Sequence, residues 1–130
     1  MRYPELVIDW RVYPKLADNI WHAQMAGHPK VLTYNGPDLT IRRAQRKAAM
    51  HYEHHGQTFE IPHILSRDEY PFASTVQGGG GAWIGHIPGR LNSSQGGILR
   101  NFYRQSSPTG LPFTFRVSVI NHPRGPVPPP

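Results

Sequence analysis

The adjacent carboxylates Asp68 and Glu69 lie shortly before a run of four glycines, residues 78–81. Amide side chains follow later in the chain, at Asn92, Gln95 and Asn101. Carboxylate and amide oxygens are ligands for hard cations such as Mg²⁺ or Mn²⁺. A carboxylate beside such a cation can also take a proton from water, so this combination favours metal-assisted hydrolysis of a phosphodiester. The alternative is that the two acids are solvated surface charge.

The charge distribution favours a polyanionic partner. Lys and Arg number 14 against 8 Asp and Glu, and 11 of the 14 cations are Arg, whose planar fork fits phosphate. Every acid lies at or before Glu69, so the rest of the chain carries only positive formal charge. The candidate nucleic-acid contacts are Arg42, Arg43, Arg46, Lys47, Arg90, Arg100 and Arg104.

The absence of cysteine excludes disulfides, thiolate zinc sites and cysteine nucleophiles, so any metal must bind nitrogen or oxygen. No apolar run approaches the roughly 18 residues of a membrane span. The N-terminal residues also lack the layout of a signal peptide. We therefore expect no membrane partner.

The first half of the chain predicts a helix, a strand and a second helix. Pro14 suits the first helical position, and Leu16, Ile20 and Ala23 recur on one face until Gly27 ends the helix. Residues 30–34 predict a strand and residues 35–37 a turn. Either Asp38 or Thr40 is expected to cap the second helix, whose basic face carries the first four cations named above.

The second half predicts a hairpin, a helix and a strand. Residues 70–75 and 82–88 are expected to form two strands joined by the glycines. Asn92 or Ser93 is expected to cap the third helix. In residues 112–120, Phe113, Phe115, Val117 and Val119 alternate with polar positions, as in a half-buried strand.

These elements predict an α+β fold: three helices around a small, mainly antiparallel sheet, with the site where the β-hairpin meets the helix that follows it. At 130 residues the chain is long enough for one domain. We expect an N-terminal extension (1–12), the functional domain (13–120) and a proline-rich tail (121–130) that is extended or disordered.

The histidines and tryptophans have two interpretations each. His51, His54 and His55 are either a zinc site or, by default, surface imidazoles. His86 is a candidate contact to phosphate or leaving group, because strand alternation can turn it toward a cleft. Trp21 is either a base-stacking residue or, preferably, part of the core.

Three segments together resemble the NucA/NucB family of small metal-dependent deoxyribonucleases, which includes toxin modules. They are YPKLADNIWHAQMAGHPKVLTY (13–34), SRDEYPFASTVQGG (66–79) and NSSQGGILRNFYR (92–104), and the resemblance covers roughly residues 13–120. It implies a site of the ββα-metal type, in which an acidic residue replaces the usual histidine base. It also implies cleavage of DNA with little sequence preference.

The resemblance implies a role for each matching residue. Asp68 becomes the general base and Glu69 a metal ligand or second carboxylate, with exchange of the two roles left open. Asn92 and Gln95, and after them Asn101, become candidates for the shell of Mg²⁺ or Mn²⁺. Arg67 and Arg100 are expected to meet phosphate, and His28 to fix the first loop. A toxin module of this family would be secreted or delivered to a target cell, and would bind an acidic immunity protein.

Two positions depart from the family pattern. Members commonly carry an acid just before the glycines and another just before the asparagine of the third segment, where this chain has Gln77 and Leu91. The departures leave two alternatives to a nuclease. One is a catalytically silent nucleic-acid-binding domain, and the other is a protein-interaction domain whose basic surface meets an acidic partner.

Overall fold

The computed structural model describes residues 3–37, 40–45 and 65–129. In chain order the elements are β1 (Glu5–Asp9), α1 (Pro14–Met25), β2 (Val31–Thr33), α2 (helical within 40–45), β3 (Leu65–Tyr70), β4 (Trp83–Pro88), α3 (Gly89–Ser106) and β5 (Thr114–Ile120). The predicted α+β class is confirmed. Residues 46–64 lie outside the described part of the chain; they include the three histidines of the possible zinc site, Arg46 and Lys47.

The larger sheet has three strands in the order β1-β5-β2. Strand β2 runs antiparallel to β5 and β1 runs parallel to it. Phe115, Val117 and Val119 are buried on one face of β5, which confirms the predicted alternation. The strand begins at Thr114 rather than at residue 112, because Pro112 has no N–H to give to the ladder.

Strand β1 lies in the segment for which the sequence predicted no element. Its Leu6 and Ile8 pair with Val117 and Val119 of β5, and both are buried while Glu5 and Val7 are exposed. The alternating pattern is present in the sequence, but five residues are too few to separate a strand from a linker. Residues 5–9 therefore belong to the core sheet.

Helix α1 confirms the prediction made from its apolar spacing. It begins at Pro14 and ends at Met25, and Gly27 follows with φ +102°. Its buried residues are Leu16, Ala17, Asn19, Ile20, Trp21, Ala23 and Gln24. The helix contacts the three-stranded sheet and also the two-stranded sheet of β3 and β4, so it connects the two halves of the core. Trp21 belongs to that core, as preferred from the sequence.

The hairpin was predicted correctly, but the bounds of its first strand were wrong. Its first strand covers Leu65–Tyr70 instead of 70–75, while β4 lies close to the predicted range. Pro71 follows a cis peptide bond and cannot donate to the ladder, so the strand ends before it. Asp68 and Glu69 consequently lie inside the strand, with Asp68 opposite Gly85.

Helix α3 follows β4 without a loop, and the predicted caps were wrong. Pro88 occupies the N-cap and Gly89 is the first helical residue. The side chain of Asn92 instead reaches strand β3, where its Nδ2 donates to Ser66 Oγ at 2.6 Å and to Arg67 O at 2.9 Å. Asn92 therefore ties the first turn of α3 to the strand that carries the acids.

Residues 121–129 form no helix or strand, and they are held against the domain by hydrogen bonds. The indole Nε1 of Trp21 donates to Gly125 O at 2.8 Å. Lys30 Nζ donates to Val127 O at 2.8 Å and to Pro128 O at 2.9 Å. Among the residues described, no helix is both long and apolar enough to cross a membrane.

Candidate active site

A cleft of about 940 Å³ lies between strand β3 and helix α3. The residues that the sequence singled out and that line it are Arg42, Arg67, Asp68, Glu69, Asn92, Gln95, Arg100 and Arg104. The strand supplies both carboxylates, the first turns of the helix supply the amides, and the same helix continues with two arginines. The predicted meeting of hairpin and helix therefore brings acids, amides and cations to one cavity.

Asp68 is the most buried carboxylate of the cleft, with 1% of its surface exposed. Gln95 Nε2 donates to its Oδ1 at 2.5 Å, and Asn19 Nδ2 donates to its Oδ2 at 2.8 Å. Both partners are neutral amides. A carboxylate has about four acceptor positions, so these two bonds leave capacity for a further donor such as water.

Burial raises the pKa of Asp68 to about 6, and the hydrogen bonds from Gln95 and Asn19 only partly oppose that shift. A general base works best when its pKa lies near the pH at which the enzyme operates. At neutral pH the Asp68 carboxylate is therefore ionised and still basic enough to accept a proton. An exposed aspartate, with its pKa near 3.8, would be a weaker base.

Gln95 has a buried oxygen without a partner. The side chain is 5% exposed, its Nε2 is occupied by Asp68, and its Oε1 accepts no hydrogen bond from the described residues. An unsatisfied buried acceptor costs about 1–3 kcal/mol. This oxygen therefore marks a position at the cleft where a water or a cation would be stabilised.

The cleft lining contains further oxygen atoms of the kind that bind a hard cation. Glu69 is 8% exposed and lines the same cleft. Asn92 has its Nδ2 engaged with strand β3, so its Oδ1 is the atom it can offer to a ligand. Within the described residues no cluster of three or more His, Cys, Asp or Glu exists. A cation here would therefore bind few carboxylates together with amides, water and substrate phosphate, which suits Mg²⁺.

The arginines give the cleft its positive charge. Arg100 and Arg104 lie one turn apart on the exposed side of α3. Arg42 of α2 faces them, and its buried Nε has no hydrogen-bond partner among the described residues. A guanidinium with an unsatisfied donor is suited to phosphate oxygens.

Comparison with known families agrees with this chemistry. The family model of the NucA/NucB deoxyribonucleases matches residues 20–116, roughly three quarters of the chain. This chain belongs to the NucA/NucB family. It is thus a deoxyribonuclease-type domain, for which DNA is the substrate. No curated protein sequence matches the chain. The match includes every residue of the cleft named above.

Neither departure from the NucA/NucB pattern lies in the lining of the cleft. The Oε1 of Gln77 accepts the backbone N–H of Thr33 at 2.9 Å, so this exposed side chain holds the glycine loop to β2. Leu91 packs against the hydrophobic core. A glutamate at position 77 could accept the same hydrogen bond, whereas an acid at position 91 would place a charge against the core.

Several residues predicted for the site lie elsewhere in this NucA/NucB domain. His86 is exposed and does not line the cleft, although it lies opposite Arg67 in the hairpin. Asn101, Arg90 and Arg43 are also exposed and do not line the cleft. The ring of His28 lies edge-on to Trp83, with centroids 6.4 Å apart.

Asn19 was not predicted as a site residue, although its position in the sequence carries a signal. Asn19 lies on the apolar stripe of α1, three residues after Leu16 and four before Ala23, and it is 8% exposed. A buried polar residue on such a stripe needs hydrogen-bond partners. Its partner could not be named from spacing alone, because Asp68 is 49 residues away in the chain.

Proposed function

We propose that this NucA/NucB domain hydrolyses DNA phosphodiester bonds in the cleft between β3 and α3, with a divalent metal and little sequence specificity. The observation that carries the proposal is Asp68: a buried carboxylate with a raised pKa, at the wall of a cationic cleft, bonded to a glutamine whose buried oxygen has no partner among the described residues. A solvated surface acid would have neither the burial nor the two amide donors.

Asp68 is the residue that accepts a proton from the attacking water. Its pKa of about 6 lets it act in the ionised form at neutral pH. Gln95 orients it through Nε2, and the Oε1 of the same side chain is buried and has no partner among the described residues. One residue thus links the base to the position where a cation or water would be held.

Glu69, Gln95 through Oε1 and Asn92 through Oδ1 are the residues that would hold Mg²⁺ or Mn²⁺. When bound, the cation would stabilise charge on the phosphate and the leaving oxygen. Arg42, Arg100 and Arg104 hold the phosphates of the DNA strand. Contacts to phosphate position DNA without reading its sequence, which supports low specificity.

Cleavage of supercoiled plasmid tests the proposal. The wild-type protein should nick plasmid in Mg²⁺ or Mn²⁺ and stop when EDTA is added. Asp68→Asn should lower the rate by at least about 10²-fold, the usual range for loss of a general base. Asp9→Asn is the matched control, because it makes the same chemical change at an aspartate outside the cleft.

Equal nicking by wild type and Asp68→Asn would remove Asp68 from the mechanism. Binding of DNA without cleavage in any metal would favour the catalytically silent alternative. The roles as a toxin module, as a secreted or delivered protein and as the partner of an acidic immunity protein stay predictions.

A further inference from the structure

Asn19 contacts Asp68 from behind the cleft. Its Nδ2 donates to the carboxylate Oδ2 at 2.8 Å and lies 3.2 Å from the main-chain oxygen of the same residue. Asn19 is buried in α1 and does not line the cleft, so it has no direct access to DNA. One amide group therefore fixes both the backbone and the side chain of Asp68.

Trp83 determines which way the Asn19 amide faces. Its indole Nε1 donates to Asn19 Oδ1 at 3.0 Å. An indole N–H is a donor only, so it can be satisfied only by the oxygen of the amide. A rotated amide would set N–H₂ against the indole N–H and Oδ1 against the carboxylate. Both contacts would be repulsive, so Trp83 directs the Asn19 donor to Asp68.

Gly85 keeps the space that this arrangement needs. It lies opposite Asp68 in the hairpin, and a Cβ at this position would be 2.0 Å from Asn19 Oδ1. Any side chain at residue 85 would displace the amide from its two partners. Helix α1 and both hairpin strands thus contribute to one hydrogen-bonded chain, Trp83 to Asn19 to Asp68.

We propose that Asn19, oriented by Trp83, is a positioning residue for DNA cleavage, which holds the Asp68 carboxylate in the rotamer that faces the cleft. The inference rests on the proposed function, because it acts through Asp68. Asn19 precedes the first residue matched by the family model. Without it, the Gln95 bond is the one that the carboxylate keeps among the described residues, and the carboxylate can turn about its side-chain torsions.

Steady-state cleavage kinetics of four proteins test the inference. Asn19→Ala should lower kcat by about 10- to 100-fold and leave KM unchanged, as expected when a reacting group is misplaced and substrate binding is not. Trp83→Phe keeps a ring in the core and removes the N–H, and should lower kcat by about 3- to 10-fold. Trp21→Phe removes an indole N–H bond to Gly125, which does not line the cleft, and should leave kcat unchanged.

The double variant separates positioning from general destabilisation. If Trp83 acts through Asn19, Trp83→Phe should have no further effect on kcat in the Asn19→Ala background. Equal losses from Trp83→Phe in both backgrounds would overturn the inference, as would an Asn19→Ala variant with wild-type kcat. Should Asn19→Ala not fold, Asn19→Ser provides the same comparison.

A measurement without DNA distinguishes this inference from the proposed function. In amide-resolved NMR spectra, hydrogen exchange of the Asn19 side-chain N–H₂ should accelerate in Trp83→Phe and stay at the wild-type rate in Trp21→Phe. Equal exchange rates in all three proteins would overturn the inference. If the wild type cleaves no DNA in Mg²⁺ or Mn²⁺, the proposed function fails, and the exchange rates still decide whether Trp83 orients Asn19.

Discussion

Replacement of Asp68 by asparagine is expected to raise the free energy of unfolding while it abolishes cleavage. The pKa of Asp68 is about 6 in the folded protein and 3.8 in the reference state, a difference of about two units. At about 1.4 kcal/mol per unit, the buried charge destabilises the folded protein by about 3 kcal/mol at neutral pH. Asparagine removes the charge and keeps the shape.

The pH dependence gives the prediction its sign. Because the pKa of Asp68 is raised in the folded state, Asp68 is protonated in the folded protein and ionised in the unfolded chain between about pH 4 and pH 6. The stability that this group contributes is therefore lost as the pH rises through that window. Asp68→Asn should therefore match wild type near pH 4 and exceed it by about 3 kcal/mol above pH 7. All other carboxylates are shared, so the difference between the two proteins isolates Asp68.

The hydrogen bonds around residue 68 can survive the substitution. Asn19 can continue to donate to the oxygen of an asparagine at this position. Gln95 can rotate its amide so that Oε1, which lacks a partner among the described residues, accepts from the new N–H₂. The predicted gain in stability is therefore not cancelled by a lost bond.

Urea unfolding in EDTA at pH 4.5, 6 and 7.5 provides the assay. Asp9→Asn is the control, and its effect on the free energy of unfolding should have the opposite sign. Hydrogen bonds from Arg11 and Asn121 lower the pKa of Asp9, so removal of that charge should destabilise the protein. An Asp68→Asn protein that is less stable than wild type at pH 7.5, or a difference that does not vary with pH, would refute the reasoning.

Three further predictions follow from the cleft and the glycine loop. In saturating metal, kcat/KM should fall on the acid side with an inflection at or below about pH 6, because Asp68 must be ionised and a nearby cation favours that form; a rate that rises from pH 7 to pH 5 would contradict this. Arg104→Ala should reduce the slope of log binding constant against log salt by about 1, whereas Arg43→Ala, outside the cleft lining, should leave it unchanged in a salt titration of DNA binding. Gly79→Ala should destabilise the protein by about 1–2 kcal/mol in thermal unfolding, since Gly79 has φ +100°. Gly80→Ala should be nearly neutral, because a Cβ there meets nothing within 4 Å. Equal melting temperatures of the two variants would contradict the assigned loop geometry.

Local patterns in the sequence were enough to predict several regular elements of the core behind the cleft. Helix α1 follows from Pro14 and its apolar stripe, and β5 from the alternation of Phe115, Val117 and Val119. Spacing alone failed where one residue overrides a pattern. Pro71 ends β3 at Tyr70, so the strand lies before the predicted range and includes both acids. Asn92 bonds to β3 instead of capping α3.

The environment of the acids depends on tertiary contacts. Asp68 and Glu69 are neighbours in sequence and carry the same charge. They differ in their tertiary contacts, because Asn19 of α1 and Gln95 of α3 donate to Asp68. The raised pKa of Asp68 follows from that burial. No short-range pattern reports it, which is why the sequence alone left exchange of the roles of the two acids open.

A crystal structure of the Asp68→Asn protein with a DNA duplex and Mg²⁺ would test the central claim most directly, since the variant should bind without cutting. The expected result is a phosphodiester in the cleft between β3 and α3, with Mg²⁺ bound by Glu69 and Asn92 Oδ1 and a water within hydrogen-bond distance of residue 68. DNA bound to another face, with the cleft open to solvent, would contradict the assignment of this cleft as the active site.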